Sequence, residues 1–228
     1  MTGPIKNLTA ALFDLDGTLL DTLEDIAVSM NTALAQYGYP QHPIKRYRHF
    51  VGAGLVDLAR RALPPDTGAE TAARLADAMR AEYSHRWAHA TRPYAGVAAM
   101  LDGLSGAGVR FSVLSNKPDN FTVMLCDRFL SDWNFEIVRG AVESVPKKPD
   151  PSAALMIARD MGIDPACFAS LGDTGSDMTM AKTAGMYPAG ALWGFRDADE
   201  LSAAGALILL ERPEDFPGLF GIKIRVSE

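Results

Sequence analysis

The chain has little of what marks several large classes of protein. Only two of its 228 residues are cysteine, and it has no CxxC pair and no cysteine–histidine cluster. We therefore expect neither a disulfide-stabilised fold nor a structural zinc site. The longest apolar run, residues 203–210, contains a glycine and is much shorter than the roughly 20 apolar residues that cross a bilayer. These absences predict reduced thiols and no membrane partner.

Basic residues are not in excess, because 22 lysines and arginines face 28 aspartates and glutamates, a net charge of −6. Nucleic acids and anionic membrane surfaces attract basic proteins, so we expect neither as a partner. The first apolar run is interrupted by Asp14 and Asp16, which does not fit a signal peptide. We therefore expect a cytoplasmic protein, either a monomer or a homodimer.

Short apolar runs and helical patterns alternate along most of the chain. Strands are predicted at residues 9–13, 109–114, 135–138, 168–171, 188–192 and 206–210. Helices are predicted between them, at residues 96–106, 118–130, 151–161 and 176–184. This alternation predicts an α/β fold whose core is a Rossmann-like, doubly wound parallel sheet.

The segment after the first strand departs from this alternation. Residues 21–91 contain helical patterns and turns and no predicted strand. We assign residues 1–20 and 92–228 to the α/β core and residues 21–91 to an inserted small α-helical cap. Ligands of open parallel sheets bind beyond the carboxyl ends of the strands, so such a cap would lie over the site as a lid.

Asp14 and Asp16 directly follow the first predicted strand, in the segment Phe13-Asp-Leu-Asp-Gly-Thr. Alternate residues of an extended segment share a face, so the two carboxylates are predicted to lie close together. Like charges at that separation need a cation, or one of them must take a proton. A nucleophile and an acid/base partner would use this pairing, whereas the alternative is a turn with incidental acids.

Two further segments offer groups that suit a phosphate. Ser115 and Asn116 follow the second strand of the core and precede a predicted helix, so they could donate hydrogen bonds to phosphate oxygens. Lys147 and Lys148 lie in a proline-rich turn and offer positive charge. Taken alone, the first segment is typical of a helix cap and the second of a solvated loop.

Asp173 and Asp177 follow the strand predicted at residues 168–171. Asp173 and Asp14 would extend from strands of one sheet, and together they offer the oxygen ligands that Mg²⁺ prefers. Asp177 lies at the start of a predicted helix, where a carboxylate is also favoured by the helix dipole. The pair therefore predicts a magnesium site, with a purely local role for Asp177 as the alternative.

In order and spacing, these motifs resemble those of the haloacid dehalogenase superfamily, and of its phosphatase branch in particular. The resemblance covers nearly the whole chain, and the helical insertion corresponds to what that family calls a type-one cap. Phosphoglycolate phosphatase-like enzymes are similar in further segments: Val51-Gly-Ala-Gly-Leu55, Ser115-Asn-Lys-Pro118 and Leu192-Trp-Gly-Phe195. The resemblance implies that Asp14 is the nucleophile, forming an aspartyl phosphate, and that Asp16 is the general acid and base. It also implies that Ser115, Asn116 and Lys148 bind the phosphoryl group.

The resemblance further implies that Mg²⁺ is the cofactor. Its ligands would be the Asp14 carboxylate, the Asp16 main-chain carbonyl and Asp173. Asp177 would be a ligand through water or a support for the others.

The implied substrate is a small phosphorylated metabolite, most directly 2-phosphoglycolate, with pyrophosphate, nucleoside monophosphates and sugar phosphates left open. The core motifs contact only the phosphoryl group and the metal, so the cap must recognise the leaving group. Arg46, Arg48 and His49 are basic candidates there, and Arg48 with Gly52 and Gly54 is our specific prediction. A basic cap residue would suit a carboxylate, whereas a solvated basic face is the alternative.

Other activities of the same superfamily fit less well. Dehalogenation at carbon does not need Asp16, which is present. A phosphomutase shares all four motifs and stays an alternative. A non-catalytic binding protein usually lacks one of the catalytic residues, and none is missing in this chain.

Overall fold

The computed structural model of the protein describes residues 5–224. Its strands are β1 (Ala10–Phe13), β2 (Leu20–Asp21), β3 (Arg92–Pro93), β4 (Arg110–Pro118), β5 (Phe135–Ala141), β6 (Phe168–Gly172), β7 (Tyr187–Ala191) and β8 (Ile208–Leu210). Six of them form one sheet in the order β5-β4-β1-β6-β7-β8, and every neighbouring pair in it is parallel. The predicted α/β fold with a doubly wound parallel sheet is therefore confirmed.

The helices are α1 (Leu23–Gln36), α2 (Tyr47–Phe50), α3 (Leu55–Ala62), α4 (Ala69–Arg86), α5 (Val97–Gly106), α6 (Asp119–Phe129), α7 (Ser152–Met161), α8 (Gly175–Thr183) and α9 (Ala198–Ala203). Short 3-10 helices cover Ile44–Arg46, Pro165–Cys167 and Pro213–Phe220. In the described range of residues 5–224, none of the helices combines the length and the apolar character needed to cross a membrane.

The central strand β1 is buried on both faces, as its unbroken apolar sequence requires. Its side chains alternate between two hydrophobic clusters. Ala11 and Phe13 pack into one cluster with residues of α5 and α6, and Ala10 and Leu12 pack into another with residues of α7 and α8. Burying a side chain such as Phe13 stabilises the fold by about 1.5–3 kcal/mol, so the alternation holds helices on both faces of the sheet.

Helices α1 to α4 have a hydrophobic cluster of their own, which we call the cap cluster. Its buried members include Met30, Leu34, Tyr47, Leu75, Met79 and Tyr83. Phe121 and Phe195, from outside residues 22–91, also pack into this cluster. The apolar surface of these helices is therefore closed partly by side chains that extend from the α/β part of the chain.

The two ends of the helical segment are joined by a short ribbon and a buried carboxylate. Strands β2 and β3 pair in antiparallel orientation on either side of residues 22–91. Asp25 accepts hydrogen bonds from the backbone N–H groups of Ala90 and Thr91, at 3.0 and 2.9 Å, and from the Thr91 hydroxyl at 2.8 Å. These bonds set where the chain leaves the α/β part and where it returns.

Several element boundaries differ from the sequence-based predictions. No strand was expected within residues 21–91, yet Asp21 belongs to β2, since a two-residue strand carries no periodic pattern. Strand β4 continues to Pro118 instead of ending at residue 114. Helix α9 was not predicted because its six residues are too few to show a period; Asp197 caps it by accepting from the Glu200 N–H.

Candidate active site

The candidate site lies where the strand order of the sheet reverses. Strand β1 has β4 on one side and β6 on the other, and the chain runs outward from it in both directions. Asp14 follows β1 directly, and its backbone N–H donates to the Leu171 carbonyl of β6 at 2.9 Å. The polar residues that end or follow β1, β4 and β6 are thereby brought to one edge of the sheet, as expected for a doubly wound fold.

Three buried carboxylates meet at this edge, and we call them the acidic cluster: Asp14, Asp173 and Asp177. One carboxylate oxygen from each lies within 4.8 Å of the others. The Lys148 ammonium lies 2.7 Å from Asp14 Oδ1 and 2.7 Å from Asp177 Oδ1, and it also donates to the Leu114 carbonyl at 2.8 Å. Asp14 therefore forms one charged centre with residues that follow it by 134 positions or more.

Asp173 and Asp177 are held by different local structures. Asp173 accepts from the Phe195 N–H at 2.7 Å and from the Thr18 hydroxyl at 3.2 Å. Asp177 completes a capping box at the start of α8, where its Oδ2 accepts from the Thr174 N–H at 3.0 Å. Its other oxygen, Oδ1, is left to pair with Lys148. The capping role and the place in the acidic cluster are therefore compatible, because each uses one oxygen.

Glycines leave the space that the acidic cluster occupies. A Cβ atom at Gly17 or Gly194 would overlap Asp173, and one at Gly172 would overlap Asp177. Gly17 also adopts a φ of +90°, which residues with a Cβ rarely adopt. The close approach of backbone to carboxylate thus depends on the absence of side chains at these positions.

The charges of the site do not balance. Burial is the main reason that the pKa of Asp14 rises to about 7, and Lys148 opposes this rise. Burial, with the charges of Asp14 and Asp177 beside it, also raises the pKa of Asp173 well above its usual range. With Asp16 included, four buried carboxylates face two ammonium groups. A set of oxygen donors with two negative charges in excess fits a hard divalent cation.

Asp16 has a partner of its own, away from the acidic cluster. Its two carboxylate oxygens each lie 3.0 Å from the Lys117 ammonium, and both side chains are almost fully buried. Lys117 also lies over the ring of Tyr83 in α4, 4.6 Å from its centre. The sequence analysis gives no role to Lys117, although Lys117 belongs to the segment Ser115-Asn-Lys-Pro118. Its position two residues after Ser115 in an extended segment indicates that both side chains lie on one face and reach the same site.

A cleft of about 600 Å³, its open mouth included, lies between the helical segment and the sheet edge. Asp14 and Asp16 lie at its sheet end, with Ser115, Asn116 and Lys117 beside them. Gly52 and Gly54 line it from the turn before α3, and its wall is otherwise largely apolar: Ile26, Val51, Leu55, Leu58, Met79 and Phe121. The cleft can therefore take a phosphate at the acidic end and a leaving group along the apolar wall.

Ser115 and Asn116 have different surroundings although they are adjacent. The Ser115 oxygen accepts from the Lys117 N–H at 3.2 Å, which leaves its own proton to donate. The Asn116 amide nitrogen donates to the Gly52 and Lys148 carbonyls, and its oxygen accepts from the Lys148 N–H, each at 2.9 Å. Asn116 therefore connects the turn before α3 to the backbone of Lys148.

The predicted basic cap residues do not line the cleft. The Arg48 guanidinium donates to the backbone carbonyls of Gly194 and Phe195, the second at 3.4 Å. The Arg46 guanidinium lies 5.6 Å from the centre of the Phe50 ring. His49 is exposed on α2. Their positive charge was the only sequence feature that indicated a role in binding the substrate. A sequence pattern does not reveal which backbone carbonyls a guanidinium reaches.

Comparison with known proteins gives consistent results over most of the chain. Residues 11–191 match the family model described as haloacid dehalogenase-like hydrolase. The chain is 31% identical to phosphoglycolate phosphatase 1 of Pseudomonas aeruginosa, over 90% of this chain and 76% of that protein. It is 31% identical to a phosphoglycolate phosphatase of Neisseria meningitidis, over 89% of this chain and 88% of that protein.

Solved structures share the fold at lower identity. A crystal structure from Lactobacillus delbrueckii subsp. bulgaricus, of a protein predicted to be a phosphoglycolate phosphatase, has a TM-score of 0.89 at 24% identity. It covers 94% of this chain and 99% of its own. A hydrolase of the haloacid dehalogenase-like family from Streptococcus pneumoniae has a TM-score of 0.86 at 20% identity, covering 95% of this chain and 100% of its own.

Proposed function

The chain belongs to the haloacid dehalogenase-like hydrolase family and is a phosphatase, and from this we propose that it hydrolyses a small phosphomonoester through an aspartyl phosphate on Asp14. One observation carries the proposal. Asp14 lies at the reversal point of the sheet, paired with Lys148, while Asp16 faces the same cleft from a separate position. A nucleophile and an acid/base partner in these two environments are what the reaction needs.

In the first step, a carboxylate oxygen of Asp14 attacks phosphorus. The bond from phosphorus to the ester oxygen breaks, and that oxygen takes the electron pair and a proton from Asp16. In the second step, a water oxygen attacks the same phosphorus while the Asp16 carboxylate takes a proton from the water. The bond from phosphorus to Asp14 then breaks, which releases phosphate and restores both side chains.

The residues around Asp14 bind the group that is transferred. The Ser115 hydroxyl is free to donate to a phosphoryl oxygen, and the Lys148 ammonium contributes positive charge beside the nucleophile. Asn116 acts indirectly, because its side chain holds the backbone of Lys148 in place. These groups orient the phosphoryl group in line with Asp14.

The acidic cluster fits Mg²⁺, with Asp14, Asp173 and Asp177 as the side chains that would hold it. A carboxylate and a phosphate about 4 Å apart repel by roughly 4 kcal/mol for each pair of unit charges at an effective dielectric of 20. A bound divalent cation would offset that repulsion. Lys148 alone supplies one positive charge, so we expect turnover to depend on the metal.

The leading substrate candidate is 2-phosphoglycolate, since the relatives named above are phosphoglycolate phosphatases that match along most of this chain. The largely apolar wall of the cleft supports further candidates, because a larger leaving group would contact it. Sugar phosphates and nucleoside monophosphates would use more of the apolar wall. We also propose that the enzyme works in the cytoplasm as a monomer or homodimer, where its free thiols Cys126 and Cys167 would stay reduced.

The proposal is tested by phosphate release from a panel of small phosphorylated compounds with Mg²⁺ and with EDTA. The panel contains 2-phosphoglycolate, pyrophosphate, a nucleoside monophosphate and two sugar phosphates. We expect release that needs Mg²⁺ and is fastest with 2-phosphoglycolate. Metal-dependent release that favours a larger substrate would keep the chemistry and replace the substrate. No metal-dependent release from any of them would refute the proposed function, and label transfer between sugar phosphates would indicate a mutase.

A further inference from the structure

Two basic side chains lie among the described residues that line the cleft, Arg80 and Lys117. Arg80 is about half exposed, at 52%, and lies 3.3 Å from Asp77 on the outside of α4. Lys117 is buried, at 5% exposure of its side chain, and lies at the sheet end of the cleft. An anionic part of the leaving group that reaches the sheet end of the cleft would therefore lie closer to Lys117 than to Arg80.

The distance from Lys117 to the reaction is short. Its Nζ atom lies 3.0 Å from each oxygen of Asp16. In the proposed reaction, Asp16 gives its proton to the ester oxygen, so the two must come within hydrogen-bonding distance. The first atoms of the leaving group beyond the ester oxygen are then neighbours of the Lys117 ammonium. An acidic group farther along the substrate would extend past it, toward the apolar wall.

Tyr83 adds a second donor at the same place. Its ring covers Lys117 from the cap side at 4.6 Å, and its hydroxyl is buried beside the Lys117 ammonium, with no group in residues 5–224 that accepts its proton. Burial raises the pKa of this hydroxyl to about 12, so it keeps its proton at neutral pH. A buried donor without a partner is costly, and an acceptor from the substrate would remove that cost.

The Lys117 ammonium could bind a second anionic partner. Within residues 5–224 its one ion pair is with Asp16, although an ammonium group has three N–H donors. The surrounding wall is formed by apolar side chains such as Met79 and Phe121, which offer no negative charge. A carboxylate on the substrate would supply that charge.

We propose that Lys117, assisted by the Tyr83 hydroxyl, binds a carboxylate that the substrate carries on the carbon attached to the ester oxygen. The substrates would then be short phosphoryloxy carboxylates, of which 2-phosphoglycolate is the smallest. The inference rests on the proposed function. It assigns the recognition of the leaving group to the end of β4, whereas the sequence predicted the basic residues of the cap for this role. Lys117 is a specificity residue in this assignment. Its contact with Asp16 is the same for every substrate, and only its contact with the carboxylate differs between substrates.

The test compares two substrates that differ in the carboxylate alone, 2-phosphoglycolate and 2-hydroxyethyl phosphate. Lys117→Met keeps an apolar chain of similar length, and Lys117→Arg keeps the charge. We expect Lys117→Met to lower kcat/KM for 2-phosphoglycolate about 10- to 100-fold more than for the neutral substrate, mainly through KM. Lys117→Arg should restore part of this preference, and Tyr83→Phe should reduce it by a smaller factor. Lys45→Met, at an exposed lysine of the cap, is the control.

Each alternative outcome has a separate meaning. Equal losses on both substrates in Lys117→Met would overturn the inference and leave Lys117 as a residue that positions Asp16. Should that variant fold poorly, as judged by its melting temperature, unchanged substrate preference in Lys117→Gln and Tyr83→Phe would have the same consequence. A wild-type enzyme with Mg²⁺ that hydrolyses neither substrate, nor any member of the wider panel, would instead refute the proposed function itself.

Discussion

Asp14 is surrounded by groups that disfavour its charge. Burial and the carboxylates of Asp177 and Asp16 raise its pKa to about 7, against the opposing effect of Lys148. A nucleophilic carboxylate must be ionised, so the resting environment of Asp14 is suited to the reaction only when further positive charge is bound beside it. The energetic cost of burying this side chain is therefore linked to its proposed role as a nucleophile.

Replacing Asp14 with asparagine keeps the shape of the side chain and removes the attacking oxygen anion. We expect Asp14→Asn to lower kcat by more than about 10⁴-fold, the scale seen when a nucleophile is removed from other hydrolases. The melting temperature without metal should be unchanged or higher, since a buried charge is removed. The measurement is phosphate release under single-turnover conditions, together with thermal unfolding.

The matched control for this variant is Asp132→Asn, at an exposed aspartate before β5. It should leave both turnover and melting temperature as they are. Turnover of Asp14→Asn within tenfold of wild type would contradict the assignment of Asp14 as the nucleophile.

At the scale of elements, the loop after β7 connects the cap to the metal-ligand candidate Asp173. We call the two arginines that cross this junction, Arg48 and Arg196, the cap latch. Arg48 donates to the carbonyls of Gly194 and Phe195, and Arg196 donates to the carbonyls of Arg48 and Val51, the last at 2.7 Å. The Phe195 N–H in the same loop donates to Asp173. The position of the cap and the orientation of Asp173 therefore depend on one loop.

Removing Arg48, one half of the cap latch, should loosen the packing of α2 on the loop after β7 and so affect every substrate alike. We expect Arg48→Ala to raise KM about 3- to 10-fold, by a similar factor for carboxylated and neutral phosphomonoesters, because its hydrogen bonds go to the protein. The measurement is KM for 2-phosphoglycolate and 2-hydroxyethyl phosphate. Arg46→Ala, which removes a guanidinium that packs on Phe50, is the control and should have little effect.

A selective effect on the carboxylated substrate would contradict this reading of Arg48. It would support the prediction from the sequence that Arg48 contacts the substrate directly. An unchanged KM for every substrate would show that the cap latch does not control access to the site.

At the scale of the whole molecule, the buried acids couple the stability of the fold to pH and to metal. Both Asp14 and Asp173 have pKa values raised mainly by burial, so in the absence of metal the folded protein holds protons that the unfolded chain has released. Exposed acids behave in the opposite way: the hydrogen bond from Arg110 lowers the pKa of Glu136. Those groups affect stability at a lower pH, which separates the two contributions.

In EDTA, the free energy of unfolding should decrease as pH rises from about 4 to about 7. The pKa of Asp14 is about 7 in the folded state, against 3.8 when unperturbed. The stabilisation that comes from the higher proton affinity of Asp14 in the folded state is fully present below pH 3.8. It is lost as pH rises through about 7. The slope is at most about 1.4 kcal/mol per pH unit for each proton taken up.

Urea unfolding across this pH range, with EDTA and with excess Mg²⁺, measures the effect. Mg²⁺ binds the folded state and should raise the free energy of unfolding most at the upper end of the range. Asp14→Asn should flatten the pH dependence in EDTA. A stability that rises with pH across the window, or that does not respond to Mg²⁺, would contradict the charge imbalance described for the site.

The local pattern of the chain was sufficient for much of this description. The parallel sheet and the place of Asp14 at the end of β1 follow from periodicity, because a strand buried on both faces must be apolar and must end where polar residues begin. Because parallel strands of one sheet end at a common edge, Asp14 and Asp173 were also predicted to meet. These properties depend on residues that are close in sequence or on a rule that all such sheets obey.

Other features depend on contacts that no local pattern records. The pairing of β2 with β3 joins residues 71 positions apart, and the Lys117–Asp16 pair joins residues 101 positions apart. The hydrogen bonds from Arg48 to the Gly194 and Phe195 carbonyls likewise depend on how the residues around α2 pack on the loop after β7. The sequence by itself determined the fold class and predicted which residues carry the chemistry, since periodicity and strand ends are local properties. Only the tertiary structure decided which cation lies beside which carboxylate, because that depends on distances between segments that packing alone brings together.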